Sequence, residues 1–406
     1  MYSGLCTFVI VCEICSLVLP LMPSFTPLVS SKLPTVGLTI FTQMSKLATE
    51  HQAINLAQGF PGFDCAAGLI SLVEKYLRKG LNQYAPMQGV LALREVIAEK
   101  TESLYRTAYH PETEVTITAG ATQAIFTAIT ALVKPGDEVL VIEPAYDCYV
   151  PAIELAGGKA VFFQLDPEDW TINWGRLRAL VNDNTRMILL NSPHNPTGST
   201  LSANDLLQLE LLTRDTNIVI LSDEVYEHIT FDNQIHQSVA RNPQLATRSI
   251  IVSSFGKTFH TTGWKLGYCI APKELMVEFR KVHQFLVFSV NTPMQYAFAE
   301  YLSDASSYNY LSLFYQEKRD FFNHLVQSTR FKVKPSSGTY FQLLDYRELS
   351  DENDIDFARK LTIENGVASI PVSAFYRHAP EQKQLRFCFA KENEELERAV
   401  LKLQKL

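Results

Sequence analysis

Seven short apolar runs, separated by helical segments, occupy the middle of this 406-residue chain and restrict its fold more than any other feature. The runs cover residues 115–118, 139–142, 160–165, 187–190, 218–221, 250–253 and 266–270. They are rich in Val and Ile and do not alternate with polar residues, which is typical of strands buried on both faces. The segment 121–133, followed by Pro135 and Gly136, is typical of a crossover helix. The pattern predicts an α/β fold with a mostly parallel seven-stranded sheet.

Polar and aromatic residues follow the ends of these predicted strands. In parallel sheets, ligands bind at the carboxyl ends of the strands. Taken singly, each residue also has a structural explanation as a helix cap, a turn or part of the core. Their placement at successive strand ends predicts one ligand site. The residues are Gly120, Ala121, Thr122, Tyr146, Asn195, Asp223, Tyr226, Ser254 and Lys257.

Two of these residues carry strong chemical constraints. Lys257 lies among small and hydroxyl residues, where a partly buried amine near other cations has a lowered pKa and can attack an aldehyde. Asp223 ends an apolar strand, where a carboxylate needs a cationic partner. The ligand is therefore expected to carry an aldehyde and a cationic group.

The remaining residues fit a flat ring that carries a phosphate. The turn at residues 120–122 opens a helix and can bind an anion through free backbone N–H groups, together with Ser254 and Lys265. Tyr146 offers a face for stacking, and Asn195 and Tyr226 can bind a ring oxygen. Pyridoxal phosphate has all of these properties, so it is the predicted cofactor.

Four segments resemble the class I and II aminotransferases, which are fold-type I pyridoxal-phosphate enzymes: N-S-P-H-N-P-T-G, S-D-E-V-Y, S-S-F-G-K-T-F-H-T-T-G-W-K-L-G-Y and a late L-R-F. The resemblance extends from about residue 32 to the C-terminus. S-K-L-P, I-F-T-Q-M-S, I-N-L-A-Q-G-F-P and F-S-V-N-T-P-M-Q resemble the methionine and kynurenine aminotransferase branch. That branch acts on aromatic and sulfur-containing amino acids, with a 2-oxo acid as acceptor.

The resemblance implies roles for individual residues. Lys257 forms the Schiff base and moves the substrate α-proton, and Arg386 binds the substrate carboxylate, with Asn195 nearby. Gly59 belongs to a mobile segment that closes over the substrate. Tyr84 reaches the cofactor phosphate of the neighbouring subunit, which implies a homodimer with shared active sites.

One position departs from the wider family, which has arginine where this chain has Lys265. Lysine keeps the charge but loses the two-pronged geometry of a guanidinium group. We therefore expect phosphate binding with less geometric constraint. For the side-chain pocket, Phe60, Tyr146, Phe341 and Phe375 are candidates.

The sequence divides into an N-terminal arm that joins the small domain (residues 22–65), a large cofactor-binding domain (66–285) and a small α+β domain (286–406). Helical patterns in the last part cover residues 293–327 and 354–365. Residues 1–21 are apolar and atypical, and we expect translation to begin at Met22. The alternative is a membrane anchor, although we expect no membrane partner.

Charge and cysteine content restrict the possible partners, the cellular compartment and metal binding. A net charge of -7 without a basic run argues against a nucleic-acid partner. The seven scattered cysteines do not suggest a disulfide framework and fit the cytoplasm. Cys12 and Cys15 have C-x-x-C spacing, but no second Cys or His pair follows to complete a zinc site, so no metal is expected.

Two alternatives to an aminotransferase stay open at this point. The same cofactor chemistry can expel a β-substituent, which would make the protein a cysteine-conjugate carbon–sulfur β-lyase. A non-catalytic regulator on an aminotransferase fold would need a DNA-binding domain, for which the short N-terminal segment has no room.

Overall fold

The computed structural model describes residues 29–406, and the expectations for residues 1–21 lie outside that range. Thirteen strands form within it: β1 Ile54–Asn55, β2 Val115–Thr118, β3 Glu138–Glu143, β4 Lys159–Gln164, β5 Thr185–Asn191, β6 Val219–Asp223, β7 Ser249–Ser254, β8 Gly267–Ile270, β9 Lys332–Val333, β10 Phe341–Asp345, β11 Val367–Ala368, β12 Ile370–Pro371 and β13 Gln384–Cys388.

Sixteen α-helices accompany these strands in the described part of the chain. They are α1 Ile40–Glu50, α2 Ala67–Arg78, α3 Leu91–Tyr105, α4 Pro111–Glu114, α5 Ala121–Leu132, α6 Tyr149–Leu155, α7 Trp174–Arg178, α8 Ala203–Thr213, α9 Pro243–Ala246, α10 Phe255–Thr258, α11 Lys273–Leu286, α12 Thr292–Leu302, α13 Ser306–Asn309, α14 Leu311–Val326, α15 Asp354–Glu364 and α16 Asn393–Leu403. None of the helices within residues 29–406 has both the length and the apolarity needed to cross a bilayer.

The large sheet has seven strands in the order β2-β8-β7-β6-β5-β3-β4, and all seven coincide with predicted runs. Its strands are parallel except β8, which runs antiparallel to both β2 and β7. The prediction of a mostly parallel α/β sheet is confirmed.

Successive side chains along the central strands pack into two different cores. Leu140 and Ile142 of β3 belong to the core on one face, whereas Val139 and Val141 belong to the core on the other. Both faces of a strand therefore need apolar residues, which is why the runs show no polar alternation. Helices α5, α6 and α11 cover the second face.

A four-stranded antiparallel sheet, in the order β12-β13-β10-β9, forms in the C-terminal part of the chain. The N-terminal arm joins this part, because β1 pairs with β11 in parallel. The single helical stretch predicted for residues 293–327 is wrong in one respect, since it is divided into α12, α13 and α14. Asp304 accepts hydrogen bonds from the backbone N–H and the hydroxyl of Ser306, and such local bonds compete with continuation of a helix.

Candidate active site

A cavity of about 310 Å³ opens where β2, β3, β5, β6 and β7 end. Because β8 is antiparallel, the residues just before it, including Lys265, reach the same edge of the sheet. Eleven of the twelve candidate site residues line this cavity: Gly59, Ala121, Thr122, Tyr146, Asn195, Asp223, Tyr226, Ser254, Lys257, Lys265 and Arg386. Tyr84 is the exception, and it lies on the surface.

Lys257 lies in the short helix α10, directly after β7. Its Nζ donates a hydrogen bond to the carbonyl oxygen of Gly59 at 2.9 Å. Burial lowers the pKa of Lys257 to about 8, and the positive charges of Arg386 and Lys265 act in the same direction. A larger fraction of this side chain is therefore present as the nucleophilic free amine near neutral pH than for an ordinary lysine.

Asp223, the last residue of β6, is buried. Its Oδ2 accepts a hydrogen bond from the hydroxyl of Tyr149 at 2.7 Å, and no Lys, Arg or His within residues 29–406 pairs with it. Burial raises the pKa of Asp223 to about 6, although the Tyr149 hydroxyl opposes this shift. The carboxylate can therefore pair with a cationic N–H group of a ligand.

The turn into α5 has the properties of an anion site. Gly120 has φ +80°, and a Cβ atom at this position would lie 3.4 Å from Nζ of Lys265. The lysine ammonium therefore lies beside the N-terminus of a twelve-residue helix, where backbone N–H groups are free. Thr122 and Ser254 also line the cavity.

Arg386 of β13 is 1% exposed and lies between aromatic rings. Its guanidinium carbon is 3.9 Å from the ring centre of Phe341 and 5.3 Å from those of Phe41 and Phe375. Burial lowers its pKa to about 10, so it stays charged at neutral pH.

Two hydrogen bonds orient the Arg386 guanidinium group. It donates to Oδ1 of Asn195 at 2.7 Å and to the carbonyl of Ala57 at 2.8 Å, and its Nε has no partner among the described residues. No carboxylate within residues 29–406 forms an ion pair with it. A buried guanidinium without a counterion is suited to a ligand carboxylate.

A buried carboxylate behind the cavity joins the segments that carry the site. Glu227 accepts hydrogen bonds from Lys100 Nζ, Tyr268 Oη and Ser253 Oγ at 2.7, 2.7 and 2.8 Å. Lys100 and Glu227 are each 4% exposed at the side chain. Glu227 is next to Tyr226, Ser253 is next to Ser254, and Tyr268 is three residues from Lys265. One carboxylate therefore fixes three segments of the cavity wall.

Three residues at the site had no prediction from the sequence. Tyr149 could have been noticed, because it lies three residues after Tyr146, about one helical turn away. Phe41 lines the cavity from α1, and Tyr340 donates a hydrogen bond to the Gly59 carbonyl at 2.8 Å. Neither of these two carries a local sequence signal, because long-range packing brings them to the site.

Of the four aromatic residues proposed for the side-chain pocket, Phe60, Tyr146 and Phe341 line the cavity. Phe375 does not line it but packs against Phe41, with ring centres 5.8 Å apart. The aromatic surface therefore lies on the Arg386 side of the cavity.

These residues fit pyridoxal phosphate. Around one cavity lie a lysine amine with a lowered pKa, a buried carboxylate that no cation of residues 29–406 pairs with, and a helix N-terminus beside Lys265. They match the aldehyde, the ring nitrogen and the phosphate of the cofactor, respectively.

Known proteins with similar sequences are aminotransferases. The family model "Aminotransferase class I and II" matches residues 51–403. The methionine aminotransferase of Escherichia coli is 48% identical, over 95% of this chain and 99% of that protein. A probable N-succinyldiaminopimelate aminotransferase of Mycobacterium tuberculosis is 37% identical, over 92% and 97%. The kynurenine–oxoglutarate transaminase of Dictyostelium discoideum is 34% identical, over 93% and 96%.

A solved structure of the E. coli protein identified with a methionine aminotransferase function has the same fold. It superposes with a TM-score of 0.92 at 48% identity, covering 94% of this chain and all of that one. The match of the family model over most of the chain, together with these relatives, shows that the protein belongs to the class I and II aminotransferases and is a pyridoxal-phosphate-dependent enzyme.

Proposed function

We propose that the protein transfers the amino group of methionine, phenylalanine, kynurenine or a similar amino acid to a 2-oxo acid, in two half-reactions. The observation that carries this proposal is the position of Arg386, a buried cation that has no counterion among residues 29–406 and is surrounded by Phe41, Phe341 and Phe375. The guanidinium group suits the α-carboxylate of a donor, and the cavity-lining rings of Phe41 and Phe341 suit an apolar or aromatic side chain. The names of the E. coli and Dictyostelium relatives support the same donors.

Pyridoxal phosphate supplies an aldehyde that bonds amines and a ring that accepts the electrons released at the donor α-carbon. In our proposal, Lys257 would hold the cofactor aldehyde and, as the free amine, would take the proton from the donor α-carbon. Its lowered pKa supports this role, because only the free amine can accept a proton. Asp223 keeps the ring nitrogen protonated, Asn195 and Tyr226 bind the ring oxygen, and Tyr146 stacks on the ring.

The phosphate is proposed to bind Lys265, Ser254 and the turn formed by Ala121 and Thr122. The position of Lys265 Nζ beside Gly120 supports this assignment, since the charge and the helix N-terminus act on the same anion. The Gly59 segment is proposed to cover the bound donor, whose carboxylate Arg386 and Asn195 hold.

We further propose a homodimer in which Tyr84 reaches the phosphate in the partner's cavity. Tyr84 is 81% exposed and packs edge-on against Phe288 with ring centres 5.3 Å apart. Phe285 nearby in the sequence is 87% exposed. An exposed cluster of aromatic residues is typical of an interaction surface. Sedimentation velocity tests this proposal: Phe285→Asp is expected to shift the protein toward the monomer, and a wild-type monomer would contradict it.

We also propose that the protein is cytoplasmic. The four cysteines within residues 29–406 are free thiols, as a reducing compartment maintains them.

The relatives named above are transaminases by name, and none of them supports the lyase alternative. Release of pyruvate and ammonia from a cysteine conjugate, without an oxo-acid acceptor, would be the result that favours a lyase.

The donor half-reaction provides the test of substrate class, because it needs no acceptor. Each amino acid is mixed with the cofactor-loaded enzyme, and the change in visible absorbance of the cofactor is followed. Methionine, phenylalanine and kynurenine are expected to react at least about 100-fold more efficiently than aspartate, whose second carboxylate would be buried against the rings. Equal efficiency would refute the proposed class.

Lys257→Ala is the companion test of the reaction. The visible absorbance of the lysine-bound cofactor should disappear, and the half-reaction should slow by roughly 10⁴-fold or more. Lys281→Ala is a matched control, because Lys281 is exposed and, in the described part of the chain, its side chain pairs only with Glu278 on α11. Activity retained in Lys257→Ala would refute the role of this lysine.

A further inference from the structure

The carbonyl group of Gly59, which lines the cavity, accepts two hydrogen bonds. Lys257 Nζ donates to it at 2.9 Å, and the hydroxyl of Tyr340 donates at 2.8 Å. A carbonyl oxygen has two lone pairs, so its capacity as an acceptor is fully used. Lys257 and Tyr340 therefore donate to the same backbone oxygen of the N-terminal arm.

The arm is also held closely by the ring that follows Tyr340. A Cβ atom on Gly59 would lie 3.0 Å from Cζ of Phe341, which is tighter than ordinary contact, so the backbone approaches this ring because the residue is glycine. The Tyr340–Phe341 pair thus binds the arm twice, by a hydrogen bond and by packing.

Tyr340 is 0% exposed, and its ring is fixed from two sides. It packs edge-on against Tyr226 with ring centres 5.2 Å apart and lies 5.6 Å from Tyr315. Nζ of Lys257 is 5.7 Å from the ring centres of both Tyr226 and Tyr340. Within residues 29–406, the Gly59 carbonyl is the single hydrogen-bond acceptor of this amino group.

These contacts define a place for the lysine amine when it is not bonded to the cofactor. In the proposed function, on which this inference rests, the amine alternates between a covalent bond to the aldehyde and the free state. A covalent bond to the aldehyde would draw the amine away from the Gly59 carbonyl, which would then keep only the hydrogen bond from Tyr340.

We propose that Tyr340 is a positioning residue for the proton-transferring lysine. Its hydroxyl holds the Gly59 carbonyl in place while Lys257 is engaged, so that the acceptor is ready when the amine is released. The same bond connects the release of the amine to the position of the arm over the cavity.

Tyr340→Phe removes the hydroxyl and keeps the ring. The matched control is Tyr315→Phe, because Tyr315 is equally buried and touches Tyr340, but its hydroxyl has no hydrogen-bond partner among the described residues. The thermal midpoints of the two variants are compared first, to confirm that both are folded.

The test is hydrogen–deuterium exchange of the arm, measured by mass spectrometry in the full-length enzyme with and without cofactor. Two arm amides report opening because their hydrogen bonds reach segments outside the arm: Gly62 N–H donates to the Ala390 carbonyl, and Leu56 N–H donates to the Ala368 carbonyl. In the cofactor-loaded enzyme, Tyr340→Phe is expected to accelerate exchange of these amides about fivefold to tenfold, the equivalent of one hydrogen bond.

In the cofactor-free enzyme, the acceleration is expected to stay below about twofold, because the Lys257 bond to Gly59 persists. Tyr315→Phe should leave exchange of these amides unchanged in both the cofactor-loaded and the cofactor-free enzyme. Equal acceleration in both forms would show that Tyr340 has a purely structural role, and no acceleration would show that its hydroxyl does not hold the arm; either result overturns the proposal.

Borohydride reduction followed by peptide mass analysis of the same samples tests this proposal separately from the proposed function on which it rests. A cofactor mass on Lys257, combined with equal acceleration in both forms, refutes the role of Tyr340 alone. Absence of the cofactor mass from Lys257 refutes both.

Discussion

Removal of the Tyr149 hydroxyl should lower the stability of the protein by an amount that depends on pH. The Tyr149 hydroxyl donates to the buried carboxyl group of Asp223 at 2.7 Å, and burial has raised the pKa of that group to about 6. A hydrogen bond to a charged group contributes about 1.5–3 kcal/mol, whereas one to a neutral group contributes about 1 kcal/mol. Tyr149→Phe should therefore cost little while Asp223 is protonated and more once it is ionised.

The pH range in which ionisation of Asp223 lowers stability follows from the direction of its pKa shift. Because burial raises the pKa of Asp223, this group lowers the stability of the folded protein as pH rises from the unfolded pKa near 4 to the folded pKa. In wild type this loss ends near pH 6. In Tyr149→Phe, the weaker solvation of the anion should raise the pKa by roughly 1 to 2 pH units, so the loss continues to about pH 8.

Urea unfolding of the cofactor-free protein at pH 5 and pH 8 measures this difference. Tyr149→Phe should lower the free energy of unfolding by about 1 kcal/mol at pH 5 and by about 2–3 kcal/mol at pH 8. Tyr109→Phe is the control, since the buried hydroxyl of Tyr109 has no partner among residues 29–406, and its effect should be the same at both pH values. If Tyr149→Phe lowered the free energy of unfolding by the same amount at both pH values, the hydrogen bond from Tyr149 to ionised Asp223 would be refuted.

Further predictions concern the charged residues of the site and its support. The reaction of cofactor-free protein with a small aldehyde should level off above about pH 8, because burial lowers the pKa of Lys257 to about 8, and a plateau only above pH 10 would contradict this. Arg386→Lys should raise KM for the amino donor by about 100-fold and lower kcat less, since one ammonium cannot replace a two-pronged guanidinium group; an unchanged KM would count against it. Lys265→Met should weaken cofactor binding at least about tenfold in an equilibrium titration, while Lys265→Arg should retain it. Lys100→Met should lower the free energy of unfolding by about 3–5 kcal/mol by leaving the buried Glu227 carboxylate without its counterion, and Lys100→Met combined with Glu227→Gln should recover most of that loss in urea unfolding.

Most strands of the large sheet could be predicted because they are buried on both faces, although the edge strand β4 is only partly buried. Residues such as Leu140 and Val141 contact different cores, so an apolar run marks each strand in the sequence. The direction of β8 was not predicted. It follows β7 after a connection that contains only the four-residue helix α10 and a single turn of 3-10 helix, too little structure to cross the sheet and return parallel.

The candidate site was predictable where its residues directly follow a strand. Asp223 and Lys257 lie at strand ends, so the parallel sheet brings them together without further information. Arg386 comes from the other sheet, and its role was inferred from a family resemblance rather than from its surroundings. Tyr149 and Tyr340 act on groups distant in sequence, Asp223 and Gly59, and such pairs appear only when the chain is folded.

Glu227 has a consequence for any attempt to redesign or transplant this site. Its carboxylate ties together the segments that carry Tyr226, Ser254 and Lys265, so these segments cannot be exchanged as independent modules. A graft that carried the segments with Tyr226, Ser254 and Lys265 but not Lys100 would leave Glu227 without its counterion inside the protein. The smallest transferable unit therefore includes a helix that never touches the cofactor cavity, namely α3 with Lys100.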